Sequence, residues 1–278
     1  MLKHLLIAIF PAILTAGNIG AIFQNHSVLS SYTVESPTQF LKAQLDFPST
    51  FNTLGLFYTL NTSFCDITFQ GDFLVNSETT KGKDYDWFHE NLTVYSTSDN
   101  KVNSYNKYTI EASKEVQNGL SLVAIFSYTD VDMAWYNTVE YDYVSDTIAT
   151  NDSLSLSYQQ KFYKANLGMN YETSFFNYFD IQIEPSLTYA YIEAKDTHIL
   201  RNFYTMQYSN AFGYRLKTNL SKQIGLHSKI VLEYSYEMHQ DQNTNMHYYN
   251  NQNEVYLTLP SSHSYENSVI GVKYSYMF

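Results

Sequence analysis

Cysteine is almost missing from this chain: Cys65 is the single one among 278 residues. One thiol excludes an intramolecular disulfide framework and any zinc site built from several cysteines. Cys65 is expected to be a small side chain in a strand. Charge is also scarce. Asp, Glu, Lys and Arg make up 15% of the chain, against roughly 25% in an ordinary soluble protein. The charge that is present leans acidic, with a net of -11 at pH 7, which disfavours unspecific binding to nucleic acid and suits attraction of cationic peptides. Catalytic signatures are few: no HExxH, no nucleophile-elbow serine and no Gly-rich phosphate loop occurs. Beyond the N-terminus no apolar run reaches the about 20 residues of a crossing helix, so a mature chain that spans a membrane must do so with strands.

Aromatic residues fill the space left by charge. They reach 17%, with 27 Tyr and 18 Phe. Tyrosine joins an apolar ring to a hydroxyl that wants water, the combination needed in the aromatic girdles of a membrane barrel. The N-terminus, "MLKHLLIAIFPAILTAGNIG", has Lys3 and His4, then an apolar run from Leu5 to Leu14, then small residues at Ala16 and Gly17. That order is a secretory signal peptide, which divides the chain into residues 1–17 and a mature unit of 18–278.

The mature sequence alternates at period two. Ile230, Leu232, Tyr234, Tyr236 and Met238 share one face, and Val231, Glu233, Ser235 and Glu237 the other. The same pattern runs through 181–191, 204–216 and 67–75, and it is the dyad repeat of a transmembrane barrel strand. Short turns at 117–119 and 223–225 contrast with longer polar stretches at 79–100, 137–152, 196–203 and 241–262. Together these predict an all-β, up-and-down antiparallel transmembrane β-barrel with long extracellular loops. Its ten strands are placed near 18–31, 38–59, 64–78, 101–117, 119–136, 153–173, 179–195, 203–221, 225–240 and 263–278. The last of them, "HSYENSVIGVKYSYMF", ends on an aromatic, Phe278, and resembles the assembly signal of bacterial outer-membrane proteins.

Two polar stretches carry candidate chemistry. "DYDWFHENLTVYSTSDNKV" brings Asp84 and Asp86, and "EAKDTHILR" brings Asp196 and His198. Residues two apart on an extended strand point the same way, so each couple can face the barrel mouth as a pair. Taken alone, each is also compatible with an ordinary solvated loop. His89, Glu90 and Asp99 are read as loop residues, and His239, His247 and His263 have a spacing that matches no zinc motif.

The D-x-D-W of Asp84, Asp86 and Trp87, the D-x-H of Asp196 and His198, "QLDF" at 44–47 and the terminal "VKYSYMF" together resemble the omptins, ten-stranded outer-membrane endopeptidases. The resemblance implies a protease without a covalent nucleophile, in which Asp84 and His198 flank a water, Asp86 supports Asp84 and Asp196 orients His198. It also implies a bacterial outer-membrane protein with its site on the cell exterior. No metal or cofactor is expected. Lipopolysaccharide is expected to be required for activity, with Lys161, Lys164, Arg215, Lys217 and the tyrosines as candidates to grip it. Other partners would be a peptide or protein substrate and outer-membrane lipids, and the barrel would be a monomer, since closure leaves no strand edge to pair.

The sequence departs from the family where basic specificity is read. Of two acids lining the primary pocket in omptins, one falls at Ala194 and the other at Ser30 or a neighbour, with Glu35 the acid nearby. A basic-residue preference is therefore doubtful. Two other classes remain open on sequence: a non-catalytic barrel acting as adhesin or structural protein, and a small pore. Glu184, Glu233 and Glu237 are expected to help fill the interior and argue against the pore.

Overall fold

Alternation at period two dictates the architecture, because a strand with one apolar and one polar face satisfies lipid and lumen together only when the sheet closes. The computed structural model describes residues 17–36, 38–175 and 178–278. These form β1 (Gly17–Ser36), β2 (Leu41–Asn61), β3 (Asp66–Ser77), β4 (Thr80–Phe88), β5 (Asn91–Gln117), β6 (Leu120–Asp142), β7 (Thr147–Asn151), β8 (Leu156–Phe175), β9 (Phe179–His198), β10 (Phe203–Gln223), β11 (Ser228–Tyr249) and β12 (Val255–Met277). The predicted signal peptide lies outside the described residues up to Gly17, which opens β1.

All pairings are antiparallel. β1 lies between β2 and β12, and the chain then runs β12-β11-β10-β9-β8-β6-β5 around the wall. β3 and β4 act as one interrupted stave, each pairing with β2 on one side and β5 on the other. β7 caps an outer extension of β6, so the wall closes with ten staves, as the sequence predicts. The lower rim gathers the short turns. Gly119, at φ 74°, makes the tight turn after β5, and Phe278 N–H donates to Gly17 O at 3.2 Å, where the end of β12 lies beside the start of β1.

The outward belt is hydrocarbon and aromatic: Phe23, Leu56, Phe126, Leu187, Phe212 and Ile270 are all exposed. The lumen at the same depth holds opposite charges in contact. Lys164 meets Glu237 at 2.5 Å, Arg215 meets Glu184 at 2.8 Å, and Lys217 bridges Glu111 at 3.7 Å and Glu233 at 3.9 Å. Above this ionic layer an aromatic layer fills the barrel: Phe47 stacks on Tyr158 at 4.1 Å and packs against Trp135 at 4.8 Å. Side chains fill the interior, as the sequence predicts from Glu184, Glu233 and Glu237.

Several expectations need correction. The stretches 79–100, 137–152 and 241–262 are mostly strand: β4 and the start of β5, the end of β6 with β7, and the outer halves of β11 and β12. Above the bilayer neither face needs to be apolar, so the hydropathy alternation fades while the hydrogen-bond ladder continues. Cys65 is not in a strand but in the turn before β3, where its carbonyl accepts from Thr62 Oγ1 at 2.6 Å. Lys164, Arg215 and Lys217 point into the lumen toward carboxylates, so they do not lie on the outer wall that meets lipid. Glu35 faces outward and pairs with Lys42 at 3.5 Å, which removes it from the interior.

Candidate active site

The β4–β5 hairpin carries the first acid pair. It turns at His89, whose φ of 56° is a left-handed value, and its strands extend the wall above the bilayer. Asp84 stands opposite Leu45 of β2 and Ser96 of β5, and Asp86 opposite Ala43 and Val94. One dyad below Asp84, Gly82 is buried, and a Cβ added there would fall inside the indole of Trp135. A glycine is therefore what lets β4 lie directly over the aromatic layer.

The second pair sits at the top of β9. Asp196 is buried and His198 nearly so, with Nε2 of the ring 3.2 Å from Asp196 Oδ2. Phe203, the first residue of β10, stacks on the imidazole at 4.3 Å. Tyr32 of β1 donates its hydroxyl to the same oxygen, Asp196 Oδ2, from across the lumen. The acid is thus held from two sides, and Nδ1 is the histidine nitrogen not committed to it.

Electrostatics couple the two pairs. Burial and then the charge of Asp86 push the Asp84 carboxyl up to about 7, against the pull of His198 and Arg201. Asp86 is also raised, by burial, with Arg201 opposing and Glu140 adding. Burial pulls His198 down, but the charge and hydrogen bond of Asp196, followed by the charge of Asp84, outweigh it and leave the imidazole above its ordinary value. Tyr248 of β11 completes the enclosure: burial, then Asp196, holds its phenol protonated. Arg201 also reaches Glu140 at 3.8 Å, linking the turn after β9 to β6. The mouth therefore presents a carboxyl that keeps a proton near neutrality opposite an imidazole stabilised by its own carboxylate. Such a constellation can bind a water and move its protons.

The four residues singled out in the sequence are thus brought together in two facing pairs. Asp99, read as a loop residue, is an outward strand residue held by Lys81 at 2.5 Å and Asn137 at 2.8 Å. His239 and His263 lie in the lumen with ring centroids 6.3 Å apart, and His247 instead hydrogen-bonds Thr258. Among the described residues no group of three or more His, Cys, Asp or Glu side chains could hold a metal ion. Sequence reasoning missed Tyr32, Trp135, Tyr158 and Gly82. The available signal was parity: Tyr32 shares the inward face with Ser30 and Val34.

Residues 37–278 match the Omptin family. The chain belongs to the omptin family. Comparison of the sequence with curated proteins finds no match. Among solved structures, this omptin is similar to the outer membrane protease OmpT from Escherichia coli, with a TM-score of 0.76 at 13% identity, covering 95% of this chain and 97% of that one. At that identity the likeness concerns the fold. Weaker likenesses reach the translocator domain of the autotransporter NalP from Neisseria meningitidis (TM-score 0.42, 11% identity, 100% and 95% covered) and OprG from Pseudomonas aeruginosa (TM-score 0.40, 10% identity, 95% and 96% covered). These two carry no argument about this omptin's site.

Proposed function

We propose that this omptin is an outer-membrane endopeptidase that cleaves peptides or proteins at the cell exterior by means of a water activated between Asp84 and His198. The supporting observation is two acid-bearing pairs at one mouth: His198 Nε2 lies 3.2 Å from Asp196 Oδ2, and burial together with the charge of Asp86 raises the Asp84 carboxyl.

The chemistry follows from those positions. His198 Nδ1 takes one proton from the water as its oxygen attacks the peptide carbonyl carbon. Asp196, bound to Nε2, stabilises the imidazolium that forms. Protonated Asp84 donates a hydrogen bond to the developing oxyanion. When the C–N bond breaks, the proton on His198 passes to the leaving amine, and no covalent enzyme intermediate is needed. General acid–base help of this kind contributes about 10²–10⁴-fold. Burial first, and then like-charge repulsion from Asp86, keep Asp84 protonated.

Lipopolysaccharide is included in this proposal as a requirement for activity, bound on the outward aromatic belt, and the closed wall is consistent with a monomer. The test is cleavage of a mixed peptide library by refolded protein with and without lipopolysaccharide, beside His198→Ala and Asp84→Ala. Cutting by the wild type alone supports the proposal. A folded wild type that cuts nothing leaves the adhesin or structural reading in its place.

A further inference from the structure

Above the membrane the wall opens on one side of β12. β1 pairs with β12 as far as Val34 opposite Ser261, and its next residues, Glu35 and Ser36, stay with Lys42 and Leu41 of β2. β12 itself runs on along β11 up to Val255, so among the described residues 255–260 has no strand on its other side. The direction of its backbone groups is fixed from below. Met277 N–H donates toward β11, to His227 O at 2.8 Å, and Phe278 N–H toward β1, to Gly17 O at 3.2 Å. No register shift interrupts the pairing with β1 from Met277 to Ser261, and the ladder with β11 is regular from Ser261 to Leu257. Even-numbered residues of β12 therefore turn N–H and C=O toward β1's side, and Pro260 and Thr258 continue that series.

Pro260 has no N–H to donate, which suits the place where β1 leaves. The groups that face the open side are Thr258 N–H, Thr258 C=O and Pro260 C=O. The edge is also unguarded. Residues 255–259 carry no charge, where open edges are usually blunted by lysines, and Val255, Tyr256 and Leu257 are exposed. A bulge re-aims Tyr256. Tyr248 and Tyr249 of β11 pair with Leu257 and Val255, which leaves Tyr256 as the extra residue, its ring 6.3 Å from that of Tyr248. Tyr248 lies 5.9 Å from Phe203, and Phe203 4.3 Å from His198, centroid to centroid. An aromatic track thus joins the open edge to the imidazole of the mouth.

We propose that this edge is a strand-pairing subsite of the mouth, and that its occupant is an extended, unfolded segment of the substrate. A carbonyl of the segment accepts from Thr258 N–H, its N–H groups donate to Thr258 C=O and Pro260 C=O, and an apolar side chain lies on Tyr256. Only a chain with free backbone groups can pair this way, because a helix or an inner strand has already committed them. The track to His198 argues for substrate over a second copy of the barrel. Three strand spacings and three residues along β12 separate Thr258 from His198, about 15–20 Å. The paired segment therefore lies about five or six extended residues from the scissile bond, and the edge selects backbone conformation rather than the side chain beside that bond. The word substrate rests on the peptidase reading, and the test separates the two.

The test uses the full-length His198→Ala barrel in lipopolysaccharide micelles and fluorescent peptides with one Thr-Thr-Leu-Thr-Thr segment between Gly/Ser spacers, the leucine fixing the register. Copies carry a methyl on one backbone nitrogen of the segment, at each position in turn. Methylation is expected to weaken binding about threefold to tenfold at alternate positions and little at those between, the worth of one hydrogen bond. Thr258→Pro removes the donor of the edge and leaves the ladder to β11 whole. It should lower affinity by a similar factor in a barrel that stays heat-modifiable, and Tyr256→Ala should erase the preference for leucine over glycine in the segment. Binding insensitive to methylation, or a Thr258→Pro barrel that binds as its parent does, overturns the subsite. Self-association of the parent that Thr258→Pro abolishes overturns it in favour of a second copy. Alternating sensitivity with no wild-type cleavage of any peptide removes the peptidase reading and keeps the edge as a peptide-binding site.

Discussion

Tyr32 and His198 contact one and the same carboxylate oxygen: the tyrosine hydroxyl donates to Asp196 Oδ2, and the imidazole Nε2 lies 3.2 Å from it. The tyrosine is fixed by the aromatic layer, 5.8 Å from Tyr158 and 6.0 Å from Phe47 between ring centroids. It therefore positions Asp196 and shares its charge. Tyr32→Phe keeps the ring and removes the donor. A hydrogen bond to a charged group is worth about 1.5–3 kcal/mol, so kcat is expected to fall by about tenfold or more. The sign of the accompanying pH change is fixed. An Asp196 relieved of one donor stabilises the imidazolium more strongly, so the acidic limb of the rate profile moves to higher pH. The groups facing this pair are Asp84 and Asp86 from β4, Arg201 from the turn, Tyr158 from β8 and Tyr248 from β11, and all stay in place. A fall in activity with an unmoved limb would reduce Tyr32 to a packing role.

A bell-shaped pH profile follows from the two shifted groups. His198 must lose its proton to act as base, and it is raised above 6.5. Asp84 must keep its proton to donate, and it is pushed up to about 7. Activity therefore rises as pH climbs through the histidine value and falls as the carboxyl ionises, with the limbs reporting macroscopic values of the coupled pair. Asp86→Asn removes the negative neighbour that holds Asp84 up, so the descending limb should shift to lower pH. Rates measured across pH 5–9 at about saturating peptide check this. A descending limb that stays put or moves upward contradicts the coupling.

Gly82 is the position where β4 can be displaced with the least chemical change. Its added Cβ would enter the Trp135 indole, and Trp135 packs on Phe47, which stacks on Tyr158. Overpacking of this kind costs about 1–3 kcal/mol, here borne by a hairpin above the membrane. Gly82→Ala is expected to fold into a heat-modifiable barrel and lose at least about tenfold in kcat/KM, since small displacements of catalytic groups are expensive. Adding Trp135→Phe removes the clashing ring and should recover part of the loss. Full activity in the alanine variant would show that β4 is free to move without consequence.

How much of this was legible in the sequence differs by depth in the barrel. Within the bilayer, lipid forces one face to be apolar, so Ile230, Leu232 and Tyr234 announced β11 directly, and the ten staves followed. Above the bilayer that constraint vanishes. β4, with "TKGKDYDWF", and the outer half of β12 read as polar loops although they are ladder-bonded strands. The acid and histidine pairs were visible through their spacing and their likeness to a family. Tyr32 was not, because its importance lies in a hydrogen bond to a residue 164 positions away. The lumen-facing Lys164, Arg215 and Lys217 were assigned to the wrong face for the opposite reason: a basic residue beside tyrosines suits an outer rim as well as an interior, and only register decides.

That ionic interior gives the last prediction. Lys164 and Glu237 are both nearly closed off from solvent and meet at 2.5 Å, from β8 and β11 on different parts of the wall. Glu237→Gln keeps the shape but leaves the buried ammonium without this counter-charge. Breaking one half of such a pair costs about 3–5 kcal/mol. Unfolding in urea should therefore begin at clearly lower concentration, while the mouth, one aromatic layer above, keeps its geometry and its kcat in the folded fraction. Replacing both partners, as Lys164→Met with Glu237→Leu, removes the charges together, and apolar replacement of a whole buried pair is often neutral. The double variant is expected to regain most of the stability lost by the single one. A double variant no more stable than Glu237→Gln would mean that the two charges are anchored by the neighbouring Lys217–Glu233 and Arg215–Glu184 pairs as one lattice, and that lattice would then be the unit to which stability belongs.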